Sequence, residues 1–542
     1  MVRYLKTYDS MAEKKSCPLL DKCKTTNNPP PMKHPLLFLI CLLSLAVPVM
    51  AAASGQDLLL FYSNDVQGET APCGCQANQL GGLPKKGFQL KAIAQQKAGY
   101  PHLALDAGNL LFKHDHIVPG QEEQEEMTAA AIVEAYNLIG YTAVGIGSRD
   151  LIAGVPYLLT LRDKAKFAWL SANLVAKSTK QPLFKPSITR TFGTVKVSIL
   201  ALTGARALPE TDEATILPWD QVLPGLIEQV ASKHDLVILL SNLSVADNQR
   251  IAETYDRIHL IIQSGATAEA SSQGPINNTV LVSAAPQGRG IGIMEINWQA
   301  GGRWGDKKGE ALVKRKADLD RLLWQLGKYQ QNTLREQPDQ LKAYHALRTR
   351  EQELRGEIKR LAKEVGQHQP EEVEPASYAN RFMAMEETLP DQPEILAVTD
   401  RLDRALNQLG RQKAKAPVPV DPLYLGAQGC GPCHPSQLAA WQQTPHARAY
   451  KTLADNDQQF NTNCLPCHVT GVTMDRANDA LSVPENRRGV GCETCHGPGR
   501  RHGENPAGPP LTRKPSPEVC RGCHLPPNDT SFDYERNIKM VH

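Results

Sequence analysis

The sequence predicts a multidomain chain: an α/β sandwich, then a helical hairpin linker, then a mostly α-helical or irregular module. Three observations lead to this prediction. The 542 residues are too many for one typical domain. Short apolar runs alternate with helix-length segments in the first half of the chain only. Eight of the 13 cysteines fall between Cys430 and Cys523, where long apolar runs are scarce.

The expected domain boundaries follow changes in composition. Residues 1–53 form an N-terminal extension with a signal peptide, 54–306 the α/β domain, 307–415 a helical region resembling a coiled coil, and 416–542 the cysteine-rich module. The formal net charge of +3 is small and the charges are spread along the chain, so we expect no nucleic-acid partner.

An apolar run at residues 36–50 follows Lys33 and His34 and precedes alanines at 51–53. A charged segment, a short apolar segment and small residues, in that order, are typical of a secretory signal peptide, placed here at about residues 32–53. Translation starting at Met32 would account for the polar stretch before it. A retained membrane anchor is the alternative, although the run is short for a bilayer. We therefore expect a periplasmic or extracellular protein.

The α/β domain is expected to contain seven strands, each a short apolar run that ends in a turn. Helix-length segments such as Glu122–Leu138 lie between several of them, which is typical of an α/β fold. The expected strands are Leu58–Tyr62, His102–Leu105, Ala143–Ile146, Val195–Leu202, Leu236–Leu240, Leu260–Ile262 and Val280–Ser283.

Leucines at heptad steps predict two amphipathic helices in the next region, with a polar turn near Pro338. A third helix is expected to start near Pro393 and to turn Ile395, Leu402, Leu406 and Leu409 inward. The pair of helices would be an antiparallel hairpin, acting either as a dimerising coiled coil or as a spacer packed on its own chain. We favour the spacer because each helix holds only a few heptads.

The C-terminal module contains four C-x-x-C-H motifs. Two thiols separated by two residues match the two vinyl groups of a haem, and the adjacent histidine is placed to bind the iron. Zinc ribbons and disulfides are the alternatives, but neither requires a histidine after every second cysteine. We therefore expect four covalently bound haem c groups. The attachment residues are Cys430, Cys433, Cys464, Cys467, Cys492, Cys495, Cys520 and Cys523, and the proximal iron ligands are His434, His468, His496 and His524.

Each iron has a sixth coordination position, and His446, His502 and His542 are the remaining histidines of the module. Three histidines for four irons predict three haems with two histidine ligands each and one haem with an open or weakly occupied position. A saturated iron suits electron transfer, whereas an open iron could bind a small ligand.

Residues 423–542 resemble the tetrahaem cytochrome c family of ammonia oxidisers. The resemblance lies in Trp441–Tyr450, Cys467–Gly471 and Gly489–Gly499, with His502 soon after. It implies that His446, His502 and His542 are distal ligands and that the haem on His468 is five-coordinate. The partners we expect are other redox proteins or cytochromes, including membrane electron-transfer complexes.

The α/β domain resembles the 5′-nucleotidase branch of the metallophosphoesterases in Ser63–Gly68, Gly81–Lys85, Asp106–Asn109 and Gly147–Asp150. Later segments around Ser171–Leu174 and Leu240–Asn242 also match. The resemblance implies an α/β sandwich with two metals bridged by a carboxylate. Taken together, the two resemblances predict a metallophosphoesterase-like sandwich, a helical hairpin linker and a multihaem cytochrome c module.

This chain departs from that metal site at nearly every ligand. Asp65 remains, but the family's histidines and bridging aspartate are replaced by Gln67, Asn109, Ser148, Arg149 and Asn242, and no histidine lies in Ser264–Thr267. These residues leave no charge-balanced cage for two divalent cations. We therefore assign no catalytic residues and expect an inactive scaffold or docking surface.

Two other clusters keep open interpretations. Cys73 and Cys75 form a strained disulfide, two free thiols, or part of a metal or redox site. His114 and His116 lie in a solvated loop or contribute to a rescued metal site. The function expected overall is electron transfer, with a carrier favoured over an enzyme. The alternatives are reduction of a small ligand such as nitric oxide at an open haem and residual phosphoester hydrolysis.

Overall fold

The computed structural model describes residues 55–541 with internal gaps. The gaps are 74–78, 207, 209–212, 266–268, 300, 305–311, most of 313–337, 367–375, 415–422, 474–480, 509, 525–528 and 530–531. The expected signal peptide, Cys75, Thr267 and His542 therefore lie outside the described residues, as does the side chain of Cys73. Within the described part of the chain, no helix is both long and apolar enough to cross a membrane.

Sixteen strands lie before residue 385 among the described residues. They are β1 Gln56–Ser63, β2 Pro72–Cys73, β3 Leu80–Gly81, β4 His102–Asp106, β5 Ala143–Gly145, β6 Ala168–Leu170, β7 Leu174–Ala176, β8 Ser187–Phe192, β9 Val195–Leu202, β10 Ala214–Ile216, β11 Leu236–Ser241, β12 Leu260–Gln263, β13 Ser271–Ile276, β14 Thr279–Ser283, β15 Gly290–Trp298 and β16 Ser377–Ala384. One sheet has the order β16-β15-β1-β4-β5-β6 and the other β13-β14-β12-β11-β9-β8.

Helices cover the outer faces of both sheets and continue into the C-terminal region. They are α1 Leu83–Gln96, α2 Glu122–Ile139, α3 Val155–Lys164, α4 Trp219–Ala231, α5 Val245–Thr254, α6 Pro338–Gly366, α7 Pro393–Lys413, α8 Ala427–Cys430, α9 Pro435–Gln442, α10 Ala449–Asp455, α11 Leu465–His468, α12 Cys492–His496, α13 Arg500–Glu504, α14 Pro517–Arg521 and α15 Tyr534–Asn537. Short 3-10 turns lie at Ser148–Leu151, His446–Arg448, Glu485–Arg487 and Ile538–Met540.

The two sheets pack face to face because their central strands are apolar on both sides. In β1, Leu58 and Leu60 belong to the core between the sheets, while Leu59 and Phe61 belong to the core under the helices. This alternation follows from the two-residue period of a strand. A strand buried on both faces reads as a continuous apolar run, which is the pattern that predicted it. Each of these buried side chains contributes about 1.5–3 kcal/mol relative to exposure.

All seven expected strands are present, and the helix expected at Glu122–Leu138 is α2. The N-terminal domain is therefore an α/β sandwich, as expected. The sequence pattern did not predict β16, which pairs antiparallel with β15 from within the region expected to be helical. The region 307–415 thus includes an edge strand of the first sheet.

The hairpin helices pack on each other. Leu322 and Leu326, at described helical positions, share a small core with Leu354 of α6. The third helix begins at Pro393 as expected, and Ile395, Leu402 and Leu406 are buried, while Leu409 is partly buried. This helix, α7, packs on α1 and α2 of the sandwich.

The C-terminal module is built differently. Its helices are short, and its apolar core consists of a few residues: Leu453, Leu465, Val469 and Val483, with partly buried neighbours. The described side chains alone give such a module little apolar stabilisation. The described residues of the sandwich, the helices and this module form one compact unit.

Candidate functional site

The carboxyl ends of parallel strands bring the residues of the expected metal cleft together. Asp65 follows β1 and Asn109 follows β4, and the Asn109 side-chain amide donates to Asp65 Oδ1 over 2.9 Å. The backbone N–H of Gly265, after β12, donates to both Asp65 oxygens at 2.8 and 2.9 Å. Such strand ends are the usual location of sites in open α/β sheets.

Asparagine side-chain amides make hydrogen bonds across this cleft. Asn242, after β11, donates to Ser264 Oγ and accepts from the Ser148 backbone N–H, at 2.9 and 2.7 Å. The Asn64 side chain also donates to Asp65, at 2.9 Å. Burial raises the pKa of Asp65, and the hydrogen bond from Asn109 opposes that shift. The Asp65 carboxylate and the asparagine amides therefore have hydrogen-bond partners within the cleft.

The backbone at the cleft is strained. Asp65, Gln67 and Asn109 have φ of 51°, 55° and 54°, in the left-handed region that few residues other than glycine adopt. Between them, Gly108 has φ of 98°, and a Cβ there would lie 2.6 Å from Gly145 O. Strained backbone of this kind clusters at functional sites. The backbone of the cleft thus has the strained conformations that are common at functional sites, although its side chains are not the metal ligands expected from the related family.

Asp150 holds the loops of the cleft in place, a role that no sequence motif indicated. Its buried carboxylate accepts from the backbone N–H groups of Gly147, Asn109, Leu110 and Leu111 at 2.7–2.9 Å. Burial raises the pKa of Asp150 to about 7, although the backbone N–H donors favour the charged form.

A positive charge lies at the rim of the cleft. Arg149 donates its backbone N–H to Asn109 Oδ1 over 3.1 Å, and its guanidinium donates to the carbonyl of Lys113. Lys113 is paired with Glu69 at 2.8 Å. That Arg149 stands where the related family has a metal ligand stays a prediction.

The His114–His116 loop is divided between two environments. His116 and Asp115 are bonded to each other at 2.8 Å with exposed side chains, as a solvated loop would be. His114 is partly buried, hydrogen-bonds Asn463, and has its pKa lowered chiefly by burial. Among the residues that the structure describes, no three His, Cys, Asp or Glu side chains are arranged to hold a metal ion.

In the C-terminal module, none of the eight motif cysteines forms a disulfide bond. They approach one another between motifs: the Cys430 thiol hydrogen-bonds Cys492, and the Cys467 thiol hydrogen-bonds Cys523. The first motif therefore neighbours the third, and the second neighbours the fourth. The pKa of Cys467 is lowered to about 7, mainly by the hydrogen bond to Cys523 and further by Lys113.

The proximal histidines have geometry that suits an iron ligand. His468 Nδ1 lies 2.6 Å from Ala449 O, and His496 Nδ1 lies 2.6 Å from Thr512 O. His524 Nδ1 lies 2.8 Å from Asp529 Oδ2. An acceptor at Nδ1 fixes the proton there and leaves Nε2 as the metal-binding nitrogen. His434 of the first motif is exposed.

Two of the three expected distal histidines can be located. The His446 ring lies 6.0 Å from the His524 ring, with an angle of 64° between the rings. Two metal–nitrogen bonds of about 2 Å each, plus a ring radius of about 1.1 Å at either end, give a similar centroid separation. The two rings are therefore close enough for both to reach one iron. His502 has a buried Nδ1 without a hydrogen-bond partner, which also suits a ligand.

Glu493 organises the module, although the sequence pattern assigned it no role. Its buried carboxylate accepts from the backbone N–H groups of Leu425, Gly426 and Gly499 at 2.8, 2.7 and 2.7 Å. It thereby connects the third motif to the chain just before the first motif. Its position inside a C-x-x-C-H motif is the sequence signal that could have pointed to this role.

The second motif lies against the N-terminal domain. Asn463, directly before Cys464, donates to Glu125 of α2 over 3.4 Å. Gln458 donates to Asp403 of α7 over 3.0 Å, and Asn407 donates to the Asp457 carbonyl over 2.6 Å. The chain around the second haem attachment site is thus docked on α2 and α7.

Comparison with known proteins separates the two halves of the chain. Residues 429–497 match the family described as cytochrome c554 and c-prime. Cytochrome c-554 of Nitrosomonas europaea is 32% identical over 96 residues, which are 15% of this chain and 41% of that protein. The part of the C-terminal module at residues 429–497 is therefore similar to c-type cytochromes, which supports covalently bound haem c at the motifs it contains.

The N-terminal half is similar to phosphoesterases. The uncharacterized metallophosphoesterase YunD of Bacillus subtilis is 26% identical over 215 residues, which are 39% of this chain and 45% of that protein. A solved 5′-nucleotidase precursor from Thermus thermophilus superposes with a TM-score of 0.45 and 14% identity, covering 65% of this chain and 59% of that one. The chain spans less than half the length of the curated relatives it matches. The protein thus combines an N-terminal domain resembling the 5′-nucleotidase-like metallophosphoesterases with a C-terminal module resembling the cytochrome c554 family.

Proposed function

We propose that this protein is an exported tetrahaem c-type cytochrome that transfers electrons. The observation that carries the proposal is the set of four C-x-x-C-H motifs, three of whose histidines have an acceptor at Nδ1, which favours the tautomer that binds iron through Nε2. Four haems would also supply the apolar mass that the described side chains of the module lack. Such closely placed irons would pass electrons through the module.

The contacts between motifs support a chain of neighbouring haems. The thiols of Cys430 and Cys492 hydrogen-bond each other, as do those of Cys467 and Cys523. The attached porphyrins would therefore lie in two adjacent pairs. We assign His446 as the distal ligand of the iron held by His524, and His502 and His542 as distal ligands of two other haems. The resemblance to the tetrahaem cytochromes c implies that the haem on His468 has the open position.

The N-terminal domain is proposed to be a catalytically inactive scaffold. Asp65 is bonded to Asn109 and Gly265, groups that carry no negative charge to balance a metal. Arg149 adds a positive charge at the rim. The contacts of Asn463, Gln458 and Asn407 indicate what the scaffold does: it holds the segment that carries the second haem. Its partners would be other redox proteins or cytochromes outside the cytoplasm.

A redox titration of the exported protein with haem quantitation tests this proposal. We expect four haems per chain that are reversibly reduced and reoxidised by small mediators. Fewer haems, or haems that cannot be reduced, would contradict it. Metal analysis after dialysis tests the scaffold: stoichiometric manganese or zinc together with nucleotide hydrolysis would overturn the proposed inactivity.

Reduction of a small ligand such as nitric oxide is the second candidate function. It is favoured by the small number of histidines that could fill the sixth iron positions. His446 lies beside His524, so His502 is the one other such histidine among the described residues of the module. Carbon monoxide binding to the reduced protein tests it. We expect one high-spin haem that binds carbon monoxide, and a wholly low-spin protein that does not bind it would exclude this function.

A further inference from the structure

The proximal histidines differ in the group that accepts their Nδ1 proton. His468 and His496 each donate to a backbone carbonyl at 2.6 Å. His524 instead faces a carboxylate, with Nδ1 2.8 Å from Asp529 Oδ2. His468 thus has a neutral Nδ1 acceptor, whereas His524 has a carboxylate. The fourth motif therefore has a different electrostatic environment at its axial ligand.

The surroundings of His524 keep that contact in place. The Asp529 side chain is only 10% exposed, so little water competes for the interaction. The Phe532 ring stacks on the imidazole at 4.7 Å with an angle of 18°. His446 lies on another side of the same imidazole, at 6.0 Å. The ring orientation is thus set by one hydrogen bond and two aromatic neighbours.

A carboxylate acceptor makes the imidazole a stronger electron donor than a carbonyl acceptor does. The negative charge attracts the Nδ1 proton, so more electron density is available at Nε2. A buried carboxylate also stabilises the more positive, ferric state through its charge, and low local polarity enlarges that effect. Axial-ligand basicity and nearby charge are established means of setting a haem potential.

We propose that Asp529 is a positioning residue that gives the haem held by His524 a lower reduction potential than the haem held by His468. The inference rests on the proposed tetrahaem function. The Cys467 and Cys523 thiols hydrogen-bond each other, so the neighbour of this low-potential haem is the one attached at the second motif. At equilibrium an electron shared by that pair resides mainly on the second haem.

The test compares Asp529→Asn with the native holoprotein in a spectroelectrochemical titration. Asparagine keeps the size and an oxygen acceptor but removes the charge. We expect the ferric-to-ferrous equilibrium of one haem to shift about tenfold toward the ferrous form, a rise of about 59 mV for a one-electron couple. The other three midpoints should stay in place.

Asp533→Asn is the matched control. Asp533 is a nearby aspartate that caps α15 by accepting from the Arg536 backbone N–H at 2.8 Å, and it is not a described partner of a proximal histidine. It should leave all four midpoints unchanged. Unchanged midpoints in a fully loaded Asp529→Asn protein, or an equal shift in the control, would overturn the inference.

A measurement on the native protein covers the case in which Asp529→Asn does not fold or loses a haem. Paramagnetic NMR assigns the midpoints to individual haems, and the haem on His524 must be reduced after the haem on His468. Any other order overturns the inference. Absence of haem from the native protein would instead contradict the proposed function, so the two failures are distinguishable.

Discussion

Replacing Gly410 with alanine tests whether the cytochrome module is docked on the N-terminal domain. Gly410 is buried in α7, and a Cβ built on it would lie 2.4 Å from Phe460 Cβ and 2.8 Å from Phe460 Cγ. Phe460 belongs to the segment just before the second haem motif, and the Arg411 guanidinium lies 5.9 Å from its ring. Gly410→Ala should therefore force this segment away from α7.

The expected magnitude comes from two opposing effects. Glycine to alanine inside a helix ordinarily adds about 1 kcal/mol to stability. Overpacking of a well-filled contact costs about 1–3 kcal/mol. Gly356 of α6 supplies the matched control, because it is exposed and a Cβ there has no neighbour within 4 Å. We expect Gly356→Ala to gain about 1 kcal/mol, and Gly410→Ala to be about 1–3 kcal/mol less stable than that control.

Urea denaturation of the holoproteins measures this difference, with haem absorbance reporting on the C-terminal module. Limited proteolysis provides a second readout, since cleavage between residues 414 and 423 should accelerate in Gly410→Ala alone. Equal stabilisation by the two substitutions, with equal rates of cleavage, would refute the docked arrangement.

Three further predictions concern buried polar groups. Asn109→Asp places two carboxylates in contact at Asp65, where Coulomb repulsion of about 4 kcal/mol applies at an effective dielectric constant of about 20. Thermal denaturation should show a loss of stability at pH 8 that shrinks below pH 4. A variant as stable as the native protein would contradict the hydrogen bond from the Asn109 amide to Asp65. Glu493→Gln removes the charge that three backbone N–H groups contact and should lower the free energy of unfolding of the C-terminal module by about 2 kcal/mol. Glu504→Gln, on the surface, is the control and should leave that free energy almost unchanged in the same urea assay. Burial lowers the pKa of His259 to about 3 from about 6.5 when unfolded. The unfolded state therefore binds more protons as pH falls between these values, and about 3 kcal/mol of stability should be lost between pH 7 and pH 4. His259→Gln should lack that component, and an identical pH profile would contradict the assignment.

The sheet strands could be predicted because their burial is visible in composition. Strands such as β9 and β11 are buried on both faces and read as unbroken apolar runs. Strand β16 could not be predicted, since Ser377–Ala384 is neither an unbroken apolar run nor a strict polar–apolar alternation, and it joins the sheet through backbone pairing with the distant β15. Its assignment depends on the partner strand, which the local sequence does not specify.

The residues of the candidate sites also fall into two groups, those that the sequence indicates and those that only the fold brings together. The motif cysteines and proximal histidines are contiguous in sequence, and Asp65, Asn109 and Asn242 lie at recognisable strand ends. The pairing of His446 with His524 and the approach of Asp529 to His524 depend on how short helices fold back on each other. Asp150 and Glu493 act through backbone N–H groups of distant loops, and no residue pattern records which N–H groups a carboxylate will meet.

The mass of the intact mature chain tests the central claim most directly. We predict a mass equal to the polypeptide plus four haem groups, retained under denaturing conditions because thioether bonds hold them, with tryptic peptides locating one haem at each C-x-x-C-H motif. A chain without porphyrin mass at these motifs, or with zinc in its place, would contradict the account.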